Sequence, residues 1–593
     1  MANIKINGTP IQVPDNISIL DAARLVDIKI PTLCYCADLN AWASCGLCIV
    51  RTAGPGSGRM ARACTTTVTE NMDIVTHDPE LIATRRTVLE LILSNHPDDC
   101  LQCPRNDSCE LRTLAAEFGL REAPFKKVMS EIPIDDSNPA IVLNPEKCVR
   151  CGRCVIVCQQ VQNVWAIEYM GRSMASRIAA ASDTLLNEGP CIKCGQCAAH
   201  CPVGAIYERD DTVKVWSALQ NPEVHPVVQI APAVRVALAE EFGLPPGTLF
   251  TKKLYAALRR LGFKTVFDTN FSADLTVMEE GAELVKRLTT KGADLPLITS
   301  CCPAWVDYLE KYYIDMIPNF STAKSPQQMM GAMIKSYWAG KAGVDPAKIC
   351  SVSIMPCTAK KWEAHRNDDM KGAAGSDAWD VDIVITTREL ARMIKQAGIE
   401  ILKLEDEEAD SPLGPYSGAG TIFGVTGGVM EAAVRSAYFL VTKKELGDVN
   451  FKAVRGIEGV KEAEVDFGVD LGNGLGSKIR IAVAHQMGNI EAVLNKIREA
   501  REAGKEIPYH FMEVMACRGG CVGGGGQPYG CTDEIRLKRT AGIYTDDEKS
   551  TYRCSHQNPF IQELYKDFLG EPNGKKAHQL LHTHYEERPL YVK

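Results

Sequence analysis

Cys148-x2-Cys151-x2-Cys154-x3-Cys158 and Cys191-x2-Cys194-x2-Cys197-x3-Cys201-Pro202 are two copies of one thiolate pattern. Three thiolates spaced two residues apart wrap three corners of an iron–sulfur cube, and the fourth Cys of each run reaches the neighbouring cube. The spacing therefore predicts one [4Fe–4S] cluster on Cys148, Cys151, Cys154 and Cys201, and another on Cys158, Cys191, Cys194 and Cys197. A pair of four-thiolate zinc sites is the alternative, but zinc needs neither the three-residue offset nor the trailing Pro.

Nearer the N-terminus, Cys45-x2-Cys48 forms one arm of a [2Fe–2S] site, with Cys34, Cys36 and Cys64 as further candidates. Four ligands are needed and five are present, and spacing cannot choose between Cys34 and Cys36, which share one side of an extended segment. Asp38 to Ser44 is too polar for core and reads as the loop around the cluster. His96-x3-Cys100-x2-Cys103-x5-Cys109 offers three thiolates and one imidazole, a set that suits structural zinc about as well as an iron–sulfur cluster. Zinc carries no electrons, so the redox-active neighbours favour the cluster.

Beyond residue 216, strand ends lead into Thr299-Ser300-Cys301-Cys302-Pro303-Ala304-Trp305, Met355-Pro356-Cys357-Thr358-Ala359-Lys360, and Met515-Ala516-Cys517-Arg518-Gly519-Gly520-Cys521 with Gly523 to Gly526. A fourth, Gly-rich segment, Ser417 to Gly428, reads as another loop after a strand. Groups at the C-terminal ends of strands converge in a crevice of an α/β sheet, so thiolates at 302, 357, 517 and 521 would complete one more cube. Cys301 is then a spare thiol, and Lys360 can ion-pair with an anionic ligand.

These three Cys loops closely resemble the signature motifs of [FeFe]-hydrogenases, and the resemblance extends over essentially the whole chain. It implies an H-cluster: a [4Fe–4S] cube on Cys302, Cys357, Cys517 and Cys521, with Cys521 bridging to a di-iron subsite bearing CO, cyanide and a dithiolate amine. Lys360 would hydrogen-bond a cyanide, and Met355 and Met515 would pack against the di-iron unit. The same resemblance selects Cys34 over Cys36 and makes the His96 site a [4Fe–4S] cluster. The first three clusters also look like those of the large iron–sulfur subunit of respiratory complex I.

Glu280 and Glu283 stand three apart on one helical face, an arrangement that usually means a solvated acidic surface. The family resemblance instead implies a proton path over Glu283, Ser321, Glu280 and Cys301, with Arg287 near its mouth. A free thiol titrates near ~8.5 and can hand a proton on and take one back. Beside an anionic cluster its pKa should rise further. Nineteen ligand cysteines plus Cys301 leave Cys36, Cys350, Cys531 and Cys554 unassigned, read as buried spare thiols.

The elements that must position these groups follow from periodicity. Residues 2 to 6 alternate, Asn7-Gly8 is a hairpin turn, residues 10 to 13 return, and Asp15-Asn16 caps an amphipathic helix over 17 to 26. That suits a β-grasp domain over 1–80. The Gly54 to Gly58 run reads as a turn rather than a phosphate loop. Helices over 84 to 94 and 109 to 119 flank the His96 cluster in a small domain over 81–140, whose end, with Pro124 to Pro145, reads as linker. The two-cluster ferredoxin-like repeat occupies 141–215. Two α/β lobes, the hydrogenase domain that the resemblance implies, are expected over 216–593, with strands at Val227–Ile230, Leu297–Thr299, Val352–Met355, Ile383–Ile385, Ile481–Val483 and Phe511–Val514, and helices at Leu275–Leu288 and Arg388–Gln396. The whole is an α+β multidomain chain. The segment from His578 to His584 reads as a helix end rather than a metal site.

Composition narrows the function. The chain has 593 residues, and Lys+Arg 66 against Asp+Glu 74 gives −8, with no basic run to neutralise a phosphate backbone, so nucleic acid is not an expected partner. No run of 18 apolar residues and no signal-type N-terminus is present, which points to a cytoplasmic, membrane-free protein. Of the 24 Cys, 16 fall before residue 202, a density and spacing that read as metal chemistry rather than disulfides. No Gly-x-Gly-x-x-Gly follows a strand and opens a helix, so no nicotinamide or flavin site is expected, and electrons must leave by protein contact. The expected activity is 2H⁺ + 2e⁻ ⇌ H2, relayed through accessory clusters to ferredoxin or to a flavin-bearing, NAD(P)-linked partner subunit. The alternatives are a complex I-like electron-transfer subunit without hydrogen chemistry and an iron–sulfur assembly protein. Neither needs the distal Cys quartet together with Cys301, Lys360, Glu280 and Glu283.

Overall fold

The computed structural model describes residues 1–54, 57–128, 131–373, 375, 377–472 and 474–592. Backbone contacts divide the chain into two units: residues 1–160, 165–191 and 200–207, and residues 161–164, 192–199 and 208–593. The two-cluster segment thus contributes to both units.

In the first unit the N-terminal alternation produces a hairpin, β1 (Ala2–Ile6) with β2 (Thr9–Val13), in which Ala2, Ile4 and Ile6 point inward. The helix Ile19–Arg24 lays Ile19, Leu20, Ala22 and Ala23 against that face. Its cap is Ser18, which accepts from the Asp21 N–H, rather than the expected Asp15-Asn16; Asn16 instead takes a left-handed turn conformation. Strands β3 (Ile49–Gly54), β4 (Ser57–Arg62) and β5 (Asp73–Val75) complete a sheet of order β2-β1-β5-β3-β4, with β1 and β5 parallel. The expected turn between β3 and β4 falls on residues 55 and 56, outside the described residues.

Pro79–Ser94 forms a longer helix than the expected 84 to 94, because Asp78 caps it and Pro79 fits its first turn. The helix Glu110–Glu117 follows Cys109. The segment expected to be linker, of which residues 129 and 130 lie outside the described residues, ends in strand β6 (Ile141–Leu143). All three β6 side chains are buried, so it behaves as core rather than linker. Strands β7 (Ile167–Met170) and β8 (Arg177–Ala180) pair antiparallel, and β9 (Ile206–Glu208) pairs with β6.

The second unit holds two four-stranded sheets. One is wholly parallel, β10 (His225–Ile230), β11 (Thr265–Asp268), β13 (Ile349–Met355) and β14 (Ile383–Thr386), in the order β11-β10-β13-β14. Leu254 and Leu258 from one helix and Leu390 and Ile394 from another pack with Val228, Ile230, Val352 and Ile354 of this sheet. Each such aliphatic side chain contributes about 1.5–3 kcal/mol by leaving water. The other sheet is β12 (Leu297–Ile298), β15 (Val460–Asp466), β16 (Lys478–His485) and β17 (Phe511–Met515), in the order β12-β17-β16-β15 with only β15 antiparallel. All six expected strands are present. β11 and β15 escaped the reading, β15 because its outward residues are Glu462, Glu464 and Asp466 and its inward face carries a buried Lys461 rather than an apolar run.

The Gly-rich segment Ser417 to Gly428 is not a loop after a strand. It is the helix Gly418–Ile422 and the start of the helix Gly428–Thr442. Its small residues serve packing: a Cβ on Gly420 would lie 2.3 Å from the carbonyl oxygen of Asn270, on the long helix Thr269–Thr289.

Candidate active site

Three parallel strands deliver the distal cysteines. β12 runs into Thr299 to Cys302, and Pro303 opens the helix Pro303–Tyr312 at the position where its missing N–H costs nothing. β13 ends at Met355, and Cys357 precedes the short helix Ala359–Glu363. β17 ends at Met515, followed by Cys517 and a tight turn to Cys521. Gly520 in that turn has φ 88°, and a Cβ there would come within 2.6 Å of the Thr426 nitrogen, so only glycine fits.

Cys302, Cys357, Cys517 and Cys521 line one buried, overwhelmingly apolar cavity together with Cys301, Lys360, Met355 and Met515. Burial raises all four of these thiols, Cys357 to about 12, and the nearby sulfurs raise Cys357, Cys517 and Cys521 further. Four sulfurs that repel as thiolates and have no water to solvate them suit a multivalent cationic centre.

Lys360 supplies the cavity's cation. Burial alone would strip its proton, but Glu363, three residues on along the same helix, sits at 2.8 Å and holds its pKa above the usual lysine value. The ammonium also donates to the Cys301 carbonyl at 3.1 Å. Glu363 is held in turn by Ser325 and Gln327. Sequence reading missed Glu363, although the Lys-x-x-Glu spacing was the available signal.

From Cys301 a polar file leads away. Burial raises the Cys301 thiol well above its ordinary value, and the charge of Glu280 adds to it. Glu280 lies on the inner face of the helix Thr269–Thr289 and is 1% exposed, while Glu283 is half-buried, so the pair is not a solvated acidic surface. Burial, then repulsion by Glu283, raises its pKa to about 7. One carboxylate oxygen accepts from the Ser300 hydroxyl at 3.4 Å, and the other has no hydrogen-bond partner among the described residues. Ser321 donates to Glu283 at 2.9 Å, and its hydroxyl partly offsets the rise at Glu280. Arg287 closes the file with a 2.6 Å ion pair to Glu283. Tyr585, near the C-terminus, donates to the Ser321 carbonyl at 2.9 Å and was not foreseen.

In the first unit, Cys148, Cys151, Cys154 and Cys201 line a second, smaller apolar cavity. Burial raises Cys148 to about 11, and the charge of Cys201 adds to it. Cys158 rises to about 12 through burial and through Cys191, while Cys194 and Cys197 belong to the second unit. The sulfur of Cys34 accepts from the Cys45 N–H at 3.5 Å, and the sulfurs of Cys48 and Cys64 are 3.4 Å apart. Burial raises the Cys36 thiol, and the charges of Arg153, Asp38 and Glu110 act on it. His96 is half-buried, its Nδ1 is shielded from solvent with no hydrogen-bond partner among the described residues, and desolvation lowers its pKa, as a metal-ligating imidazole requires. The sulfur of Cys103 lies where a Cβ on Gly204 would come within 2.5 Å. Cys100 is exposed, and burial raises Cys109. Of the unassigned thiols only Cys554 is fully buried; Cys36, Cys350 and Cys531 are half-buried. His578 lies in the last turn of the helix Lys575–Leu581 and stacks on His582, which caps its C-terminus, as the helix-end reading expected.

Comparison with known proteins agrees with this arrangement. The family described as iron only hydrogenase large subunit, C-terminal domain, matches residues 224–525, and iron hydrogenase small subunit matches 533–588. A 2Fe-2S iron-sulfur cluster binding domain matches 1–79, the NADH-ubiquinone oxidoreductase-G iron-sulfur binding region 85–124, and a 4Fe-4S dicluster domain 147–205. The NADP-reducing hydrogenase subunit HndD of Solidesulfovibrio fructosivorans is 46% identical over 99% of both chains. Iron hydrogenase 1 of Clostridium pasteurianum is 39% identical over 99% of this chain and 100% of that one. The apo [FeFe]-hydrogenase of Chlamydomonas reinhardtii superposes with a TM-score of 0.57 at 45% identity, covering 64% of this chain and 100% of that chain. Among the described residues no helix is long and apolar enough to cross a membrane. With full-length relatives and a family match across about half of its length, this mixed α/β multidomain chain belongs to the [FeFe]-hydrogenase family.

Proposed function

We propose that the chain catalyses 2H⁺ + 2e⁻ ⇌ H2 as the hydrogen-converting subunit of an NADP-linked hetero-oligomer. The observation that carries this reading is the convergence of Cys302, Cys357, Cys517 and Cys521 with Cys301 and Lys360 on one apolar cavity, joined to a file of titratable groups. Those four cysteines would hold the cube of an H-cluster, with Cys521 also reaching the di-iron unit. That group, when bound, supplies the redox chemistry of H2.

The protein's own residues do the rest. Cys301, neutral because it is buried, holds a proton at the cavity wall. Glu280, poised near neutral pH, exchanges that proton with Ser321 and Glu283, and Arg287 keeps Glu283 oriented at the outer end. Lys360 fixes an anionic ligand, and Met355 and Met515 keep the cavity dry.

Electrons would travel over a [2Fe–2S] cluster on Cys34, Cys45, Cys48 and Cys64 in a domain spanning 1–80, and a [4Fe–4S] cluster on His96, Cys100, Cys103 and Cys109 in 81–140. Two more would sit in 141–215, on Cys148, Cys151, Cys154 and Cys201 and on Cys158, Cys191, Cys194 and Cys197. Similarity over 99% of both chains to a protein named as a subunit of an NADP-reducing hydrogenase supports an NADP-linked partner subunit, which would carry the flavin, over ferredoxin alone. The test is hydrogen-dependent reduction of a viologen by the purified, matured chain. Turnover abolished by Cys302→Ser supports the reading; a matured chain with full iron content and no turnover overturns it.

A further inference from the structure

Gln196 lies between Cys194 and Cys197, yet its side chain serves a different ligand set. Its Nε2 donates to the sulfur of Cys517 at 3.2 Å and to the carbonyl of Gly523 at 3.1 Å, and the residue is 4% exposed. The Gly523 carbonyl accepts only, as does Cys517 once it is a metal-bound thiolate, so the amide must present its nitrogen here and not its oxygen.

The backbone around this contact is built for close approach. A Cβ on Gly525 would lie 2.4 Å from the Cys194 carbonyl oxygen, and a Cβ on Gly195 would lie 2.3 Å from the Thr358 hydroxyl. Thr358, next to Cys357, donates to the Lys193 carbonyl at 2.8 Å. Lys193 is anchored by Asp307 at 2.7 Å, with both side chains buried. The segment 192–199 is therefore clamped against the Cys357 and Cys517 loops from both sides, and the charge of Cys194 is felt at Cys517.

We propose that Gln196 tunes the reduction potential of the cluster held by Cys517 and so sets how readily it takes an electron from the Cys194–Cys197 loop. An N–H aimed at a ligand sulfur stabilises the more negative, reduced state of an iron–sulfur cluster, and a dry site strengthens the effect. The transfer is a one-electron step: the cluster on Cys517 is reduced, its neighbour is oxidised, and no bond forms or breaks. The inference rests on the cluster assignment above.

The experiment is a redox titration of the matured full chain, followed by EPR of the cluster on Cys517, for wild type, Gln196→Leu and Gln196→Asn. Leu removes the donor, and Asn keeps the amide but falls one methylene short of the sulfur. Both should make reduction of this cluster at least about tenfold less favourable, equivalent to about 59 mV for one electron. The cluster on Cys148, Cys151, Cys154 and Cys201 should keep its potential. An unchanged potential at the Cys517 cluster overturns the proposal, as does loss of its iron in both variants, which would make Gln196 a scaffold residue. A wild-type chain lacking hydrogen turnover would sink the functional reading instead, whatever the titration gives.

Discussion

The Ser321 hydroxyl donates to a Glu283 carboxylate oxygen at 2.9 Å and partly offsets the raised pKa of Glu280, which is 1% exposed. A hydroxyl that can accept from one acid and donate to another is what a proton file needs between two carboxyls. Arg287 at the outer end and Cys301 at the inner end give that file a direction.

Cys301 lines the cavity beside Cys302 and is the thiol left over from the quartet. Cys301→Ala should leave the cluster spectra intact while hydrogen turnover falls at least ~100-fold, the lower range for losing a positioned general acid. Glu280→Gln should act similarly, and Cys36→Ser should change little. Turnover and EPR measured on the same preparations check this.

The pH dependence follows from Glu280, which burial first and Glu283 second raise to about 7. Below that value it is the neutral acid that can give a proton inward, and above it the carboxylate that can accept one. Hydrogen evolution limited by proton delivery should therefore fall as pH rises through about 7, and hydrogen oxidation should rise over the same interval. Rate profiles in both directions should show this inflection, and the residual activity of Glu280→Gln should lack it.

Much of this site was legible because cysteine spacing is itself a geometric statement. The strand ends at Met355 and Met515 and the Pro after Cys302 marked where the loops begin, and the structure brings those loops to one cavity. Tertiary contacts were not legible. Glu280 and Glu283 have the spacing of a solvated face, and it is partners distant in sequence, Ser300 for the buried Glu280 and Ser321 for the half-buried Glu283, that take them out of it. The Gly418–Ile422 helix looked like a loop because glycine lowers helix propensity, a cost accepted there for the close contact with Asn270. Ser18 displaced Asp15-Asn16 as a cap for a helix too short to announce its own start.

Lys360 is held ready by Glu363 and needs a ligand to justify its place in an apolar cavity. Lys360→Met removes a charge-assisted hydrogen bond of about 1.5–3 kcal/mol, so retention of the anionic di-iron ligands should fall about tenfold or more. Glu363→Gln keeps the lysine and should retain more of them. Infrared band intensity per cluster iron in the two variants measures the difference.

The chain's electron acceptor is expected to be a protein. The isolated, matured chain should reduce a viologen with H2 but leave NAD and NADP untouched until flavin-containing partner subunits are added. Direct NADP reduction by the pure chain, followed at the nicotinamide absorbance, would contradict this, and so would native purification as a monomer active with ferredoxin alone.

The most direct test is an infrared spectrum of the purified, matured chain in the CO and cyanide stretching region, taken with its iron content. Five cluster sites predict on the order of twenty irons per chain with zinc near zero, and CO and cyanide bands that respond to H2. A chain with its iron–sulfur clusters in place but no such bands after maturation would contradict the assignment of the cavity lined by Cys301, Lys360, Met355 and Met515.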